Sequence, residues 1–282
     1  MTKYFFIFFF LFNFLILNCN AQRSASEEIK FARYLIDNEQ YRDAIFILKK
    51  ISPTTDSINY FLGWSYYNLK VLDSSSIFFD KVQNGALKQR SEFYSAFNSA
   101  YLKKTAEAKN AFLKIEIKND SSLEKLRNLQ FAGIALLERN YIKFDSCARK
   151  FSYNYFPLQS EEKKFLNYKT QLMKVKKKSP LLAGTLSAII PGSGKFYAGY
   201  KGQAFAALIT VGILGISAAE CYYKKGIKSP EFITFGSLFT IFYIGNIWGS
   251  TLSVKLAREH QLREIDDEIL FDMHIPLRRV FN

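Results

Sequence analysis

Cysteine and histidine are scarce in these 282 residues, at three and two, and the scarcity excludes several kinds of chemistry. Cys19 lies at the end of an N-terminal apolar run, which leaves Cys147 and Cys221, too few for a disulfide framework. His260 and His274 stand apart, so no Cys or His cluster has the spacing of a zinc or iron site. No serine, cysteine or carboxylate is set in the pattern of a nucleophile with its base. The paired acids Asp266 and Asp267 sit in a charged segment expected to be a solvated helix. No cofactor, metal or catalytic residue is therefore expected, and the chain reads as a non-enzyme.

Apolar residues make up 49% of the chain, and they gather at its two ends. After Lys3, the run from Tyr4 to Leu17 and the polar close Asn18-Cys19-Asn20-Ala21-Gln22 have the layout of a secretory signal. Cleavage after Ala21 is the expectation; a lipid on Cys19 and an uncleaved anchor are the alternatives, and each exports the repeat region. Acidic charge is short: 39 Lys and Arg face 25 Asp and Glu, a net charge of +14. An exported chain seldom meets nucleic acid. Anionic lipid is thus the expected counter-charge for Lys174, Lys176, Lys177 and Lys178, which precede a membrane segment.

Two later stretches have about the 20 apolar residues that a crossing needs, Gly202 to Tyr222 and Phe232 to Val254, joined by a polar turn around Lys224, Lys225 and Lys228. Gly212, Gly215, Gly236, Gly245 and Gly249 let their backbones approach. Leu181 to Pro191 is too short to cross, and Pro191-Gly192-Ser193-Gly194 breaks any helix extending it, so a short interfacial or re-entrant helix is expected there. Two crossings put the repeats and the tail on one side; a third, through residues 181–200, would separate them.

Between residues 24 and 157 apolar positions recur at helical spacing, and four segments align. Small residues fall at Ala32, Gly63, Ala96 and Ala132, which are 31, 33 and 36 residues apart. Twelve residues on stand Ala44, Ser75, Ala108 and Phe144; four further, Leu48, Phe79, Phe112 and Ala148; three further, Ile51, Val82, Ile115 and Phe151. In the fourth segment the small and large positions are exchanged. This pattern resembles the tetratricopeptide repeat, whose period is about 34 residues, although the family's tryptophan is missing from the start of every first helix and only Pro53 matches its closing proline. The resemblance implies stacked helical hairpins with a concave groove, for which Tyr34, Tyr66 and Tyr101 are the candidate lining.

Residues 160–178 come next as one amphipathic helix, with Ser160 as its N-cap, two glutamates in its first turn and Phe165, Tyr168, Leu172 and Val175 on one face. It either caps the repeat array or lies on the bilayer.

Residues 179–254 are similar to a small bacterial membrane module with a Pro-Gly-x-Gly-x-x-Tyr-x-Gly signature, here Pro191, Gly192, Gly194, Tyr197 and Gly199, which resembles but is not the same as the two-helix TM2-type domains. That likeness implies an architecture and no mechanism. Gly192-Ser193-Gly194-Lys195 is not a nucleotide P-loop, because Ile189 and Phe196 stand where glycine and serine or threonine are required. A structural turn is the expected reading, and a nest for a lipid phosphate, made by its glycine amides with Lys195, is the alternative. Glu220, Tyr243 and Asn246 complete the candidate membrane site; Asn246 is expected to bond across the hairpin, to Tyr197 or Glu220.

The expected fold is all-α: signal peptide 1–21, tetratricopeptide-like repeats 24–157, amphipathic helix 160–178, membrane module 179–254 and tail helix 255–282. The expected function is a membrane-anchored adaptor that holds a protein partner, with its repeats in the periplasm and its hairpin in a bacterial inner membrane. The alternative is a membrane module that binds or moves a lipid or small solute under control of the repeats. Protein and membrane lipid are the expected partners, and no nucleic acid.

Overall fold

A computed structural model describes residues 25–117 and 120–281; the signal segment and Cys19 lie outside the described residues. The described residues form thirteen helices and no strand. They divide into two compact units, one running to Gln130 and taking in the chain from Leu277 onward, the other Phe131–Pro276.

Eight helices make four consecutive hairpins: α1 (Ala25–Asp37) with α2 (Tyr41–Leu48), α3 (Asp56–Asn68) with α4 (Leu72–Phe79), α5 (Gly85–Tyr101) with α6 (Thr105–Lys114), and α7 (Ser121–Leu137) with α8 (Tyr141–Ala148). All four turns are built alike. Each first helix ends on one residue in the left-handed region, Glu39, Lys70, Lys103 or Arg139, with φ of 61°, 62°, 63° and 58°. The next amide reaches back five residues: Gln40 to the Leu35 carbonyl, Val71 to Tyr66, Lys104 to Ser99 and Asn140 to Ala135. This paired closure satisfies the last carbonyls of a helix and reverses the chain. The four turn residues are spaced 31, 33 and 36 apart, the same intervals as the small residues, so the repeat seen in the side chains is also a repeat of backbone geometry.

The aligned positions are core positions. Ala32, Ala44, Leu48, Ala96, Ala108, Phe112, Ala132 and Phe144 are fully buried, and Phe79, Ile51, Val82, Ile115 and Phe151 nearly so. In the second hairpin a Cβ on Gly63 would stand 2.6 Å from the Phe79 ring, and the Ser75 hydroxyl donates to the Gly63 carbonyl at 2.9 Å. In the fourth, Phe144 fills the core while Ala148 is half-buried; the exchange keeps the register that the Arg139 turn sets.

Helix α9 (Phe156–Lys174) starts before the expected Ser160, because Pro157 suits a first turn and Tyr155 is the N-cap. Ser160 is therefore inside the helix, and Glu161 and Glu162 are buried in its second turn. Glu162 accepts from the Ser152 and Tyr153 amides at 3.2 and 2.7 Å. Phe165, Tyr168 and Leu172 of the expected apolar face are buried, but the helix stops at Lys174 instead of running to 178, and Val175 stands past its end in extended backbone.

After α10 (Pro180–Ile189) and the one-and-a-half-turn α11 (Ser193–Ala198) come α12 (Lys201–Lys225) and α13 (Pro230–Phe281). Both long helices are apolar enough to cross a membrane, and only 17% and 6% of their most apolar windows are buried within the protein. Core helices of soluble proteins bury most of such a window, so these surfaces need another apolar medium. Gly226, at φ 83°, turns α12 toward α13, where Gly215 faces Phe239 and Tyr222 meets Phe232 with ring centroids 5.5 Å apart.

The tail corrects one expectation. Residues 255–282 are not a separate solvated helix; as far as Phe281 they continue α13, whose 52 residues extend about 78 Å at 1.5 Å per residue. Ile265, Ile269, Leu270 and Met273 lie on one buried stripe. Asp266 pairs with both Arg139 guanidinium nitrogens at 2.6 and 2.8 Å, and Met273 packs over Gly133. The buried Asp272 accepts from the Tyr168 hydroxyl at 2.6 Å and the Lys164 ammonium at 2.9 Å. The many charges between the apolar positions hide this stripe from a reading of composition.

Candidate functional site

The Pro-Gly-Ser-Gly turn lies directly after α10 and is held against α12 and α13. Gly192 has φ 86°, and a Cβ there would stand 2.1 Å from the Ala204 carbonyl oxygen of α12. At Gly194 a Cβ would stand 1.9 Å from the Ala183 carbonyl oxygen. Both positions admit glycine alone, since a helix carbonyl cannot withdraw as a flexible side-chain tip can. Gly199, at φ 108°, ends α11 by the same left-handed device.

A polar chain closes the turn. The Gly192 amide donates to Asn246 Oδ1 at 3.1 Å, and Asn246 Nδ2 donates to the Ser187 carbonyl at 3.3 Å. The Gly194 amide donates to Ser187 Oγ at 2.9 Å. Ser187 and Ser250 hydroxyls lie 2.7 Å apart, and Ser250 also donates to the Asn246 carbonyl at 2.8 Å. A hydroxyl has one proton. Ser250 gives its proton to Asn246, so Ser187 is the donor to Ser250, and the order of the network is determined. Tyr243 adds a hydrogen bond from its hydroxyl to the Ala188 carbonyl. Asn246, Ser187 and Ser250 are buried, where an unsatisfied amide costs about 1–3 kcal/mol.

Of the nine candidate membrane-site residues, the structure gathers Gly192, Gly194, Tyr243 and Asn246 into this network, but Asn246 bonds Gly192 and Ser187 instead of Tyr197 or Glu220. The Gly192 and Gly194 amides are already committed, which fits the expected structural turn and removes them from the alternative, a phosphate nest. Tyr197 lies at the start of the module: its hydroxyl accepts from the Ser179 amide at 3.3 Å, and its carbonyl accepts from Lys178 at 2.6 Å. Glu220 pairs with Lys224 one turn away at the exposed end of α12. Pro191 is half-buried in the turn. Lys195 stands apart from the network, its Nζ 3.9 Å from where a Cβ on Gly249 would be.

Beside Lys195 a cavity of about 550 Å³ runs between α12 and α13. Ala206, Ala207, Val211, Ile241 and Phe242 form its walls, with Gln203, Thr210 and Asn246 as its polar points. Sequence reasoning missed Ser187, Ser250 and Gln203. The two serines carried a readable signal, small polar residues within apolar helices, which commonly join helices in lipid.

A second cavity, of about 490 Å³, lies within the repeat unit. Its lining is aromatic and charged: Arg33, Tyr60, Trp64, Arg90 and Arg278, with Asp37 and Glu39 at its side. The Arg90 guanidinium stacks 5.2 Å from the Tyr60 ring and 5.6 Å from Trp64, and Arg278 lies 5.8 Å from Trp64. Arg278 comes from the last turn of α13. Burial pushes the Tyr94 hydroxyl up to about 12, against the opposing pull of Arg90 and Arg278. Tyr60 and Tyr67 are also raised, first by burial.

The three tyrosines expected to line a groove of the repeats do not line this cavity. Tyr34 is exposed and stacks on Phe31, Tyr66 stacks on Phe78 beneath Lys49, and Tyr101 is exposed beside Lys70. They share the first helices with Arg33, Tyr60, Trp64 and Arg90 but not the cavity. No family model matches this chain, and no curated protein and no solved structure matches it.

Proposed function

We propose that the chain is a membrane-anchored, non-catalytic adaptor that binds a protein partner through its helical repeats in a bacterial envelope. The observation that carries this reading is the repeat-unit cavity, where guanidinium groups lie over the faces of Tyr60 and Trp64. Arginine and aromatic side chains are the residues that dominate binding energy at protein interfaces. The four identical turns support the tetratricopeptide-like reading, and the weakly buried faces of α12 and α13 support the anchor.

The sidedness of the anchor comes from α13. Asp266 and Asp272 bond residues between Arg139 and Tyr168, so the last hairpin, α9 and the end of α13 share one face of the membrane. An even number of crossings then separates α9 from Asp266, which favours two crossings over three. An exported N-terminus makes that side the periplasm and the membrane the inner one. In this reading the last hairpin does not swing on a leash, because α13 is continuous from its apolar window to Asp272.

A photoreactive residue in place of Phe61, at the rim of the cavity, tests the adaptor in living cells. The expected result is a discrete covalent adduct that the same substitution at the exposed Ile142 does not give. Abundant full-length protein without any adduct, under several growth conditions, would overturn it. The second reading, a module that binds a lipid or small solute, is favoured by one specific feature, the cavity beside Lys195.

A further inference from the structure

We propose that the cavity between α12 and α13 holds one acyl chain of an anionic phospholipid, with the phosphate of that lipid paired to the Lys195 ammonium. The proposal rests on the lipid-binding reading and names its ligand.

The shape of the cavity and the position of its single charge carry the proposal. Its volume, about 550 Å³, lies in the range of small-ligand sites. Its polarity is graded along the hairpin. At 1.5 Å per residue, Gln203 lies about 3 Å and Val211 about 15 Å from the start of α12. On the antiparallel α13, Asn246 is about 24 Å and Ile241 about 17 Å from the opposite end. Counted instead from the turn that joins the two helices, Gln203 stands about 33 Å up, Asn246 about 24 Å, Val211 about 21 Å and Ile241 about 17 Å, so Lys195 and Gln203 mark the end nearer α10, Asn246 and Val211 lie together below them, and Ile241 lies deepest. A head group at the interface with a chain descending into the hydrocarbon has this same gradient.

Among the described residues no carboxylate lies within ion-pairing distance of Lys195, although the chain pairs Lys164, Lys169, Lys224 and Lys225 with acids. Lys195 is half-buried as a residue, and an anion at the membrane edge would give its ammonium the counter-charge that no acid supplies. Its side chain runs along Gly249, with Cε 3.6 Å from where a Cβ there would be, an ordinary contact. The neighbouring amides cannot serve, because Asn246 and Ser187 already hold them. Of the residues lining the cavity, Lys195 alone offers the phosphate a charge, and Gln203 is the neutral polar group at the same end, whereas Thr210 lies deeper, beside Val211. A free phosphate would leave the apolar walls unfilled, a lipid without a phosphate would leave the ammonium unmatched, and a zwitterionic one would bring a second cation beside it.

The test uses the full chain in phosphatidylcholine vesicles carrying a trace of spin-labelled phosphatidylglycerol or spin-labelled phosphatidylcholine. Electron paramagnetic resonance then reads the fraction of label held still by the protein. The expected preference for phosphatidylglycerol is about fivefold, the worth of one lysine near an anionic surface. Lys195→Gln should bring it to parity and Lys195→Arg should keep it, while Ala207→Leu, which fills the apolar end, should release both lipids. Three results would each overturn the site: no preference in the natural chain, a preference that survives Lys195→Gln, or full release by dissolved glycerol phosphate. Failure of the chain to float with the vesicles would overturn the membrane reading itself, whereas normal flotation without lipid selectivity removes only the site.

Discussion

The repeat hairpins and the membrane module both bring helices close over small residues, but they differ in what lies opposite. Gly63 in the repeats faces the Phe79 ring, Gly133 faces the thioether of Met273, and Gly192 and Gly194 in the module face backbone carbonyls. A ring can tilt, a methionine can change rotamer, and a helix carbonyl can do neither without the helix moving. The repeats are packed by side chains and tolerate drift in their period. The turn of the module is packed by main chain at Gly192 and Gly194, although Gly184 and Gly215 of its helices face the side chains of Thr251 and Phe239.

The sharpest way to break this comparison is at Gly194. Gly194→Ala sets a methyl 1.9 Å from the Ala183 carbonyl oxygen and disturbs the amide that Ser187 accepts. The expected cost is about 4 kcal/mol, the range of a backbone-level defect. It should appear as loss of a monodisperse full-length protein in detergent; retention of the natural melting temperature would refute the contrast.

Alkaline pH should act on the repeats next. Burial raises Tyr60, Tyr67 and Tyr94 above their ordinary value near 10, and Tyr168 is raised by burial and by its bond to Asp272. In the unfolded chain these hydroxyls lose protons near pH 10, while the native state retains them. Stability present below that pH is therefore lost above it, through about 12 for Tyr94. Tyrosinate absorbance should rise together with loss of helix rather than before it. Titration of all the tyrosines with the helix intact would contradict the burial argument.

Gly63→Ala should cost about 1–2 kcal/mol, an overpacking term of about 1–3 kcal/mol against the ring less part of the gain from alanine in a helix. Gly133→Ala is the smallest effect, near zero or slightly stabilising, because Met273 can repack. Denaturant midpoints of the two variants sharpen the comparison, and equal losses would show that the kind of opposing atom does not matter.

Much of the fold is legible without the structure. The repeat register comes from residue size, since a hairpin core accepts a small residue only where helices approach, and in the fourth unit Ala132, Phe144 and Phe151 are core positions while the exchanged Ala148 is half-buried. The glycines of the Pro-Gly-Ser-Gly turn are readable as a close approach. The start of α9 is not, because Ser160 makes a good cap by type, while Pro157 three residues earlier offers a better first turn. The cavity of the repeat unit is hidden too: Arg278 lies some two hundred residues from Trp64, and nothing in the local pattern announces the pairing.

The sequence by itself determined the all-helical class, the hairpin spacing and the two long apolar helices, because each rests on the periodicity and composition of neighbouring residues. Only the tertiary structure decided the partners of Asn246, the isolation of Lys195 and the course of α13. Those depend on which distant carbonyl, carboxylate or ring comes within bonding distance, and periodicity carries no information about that.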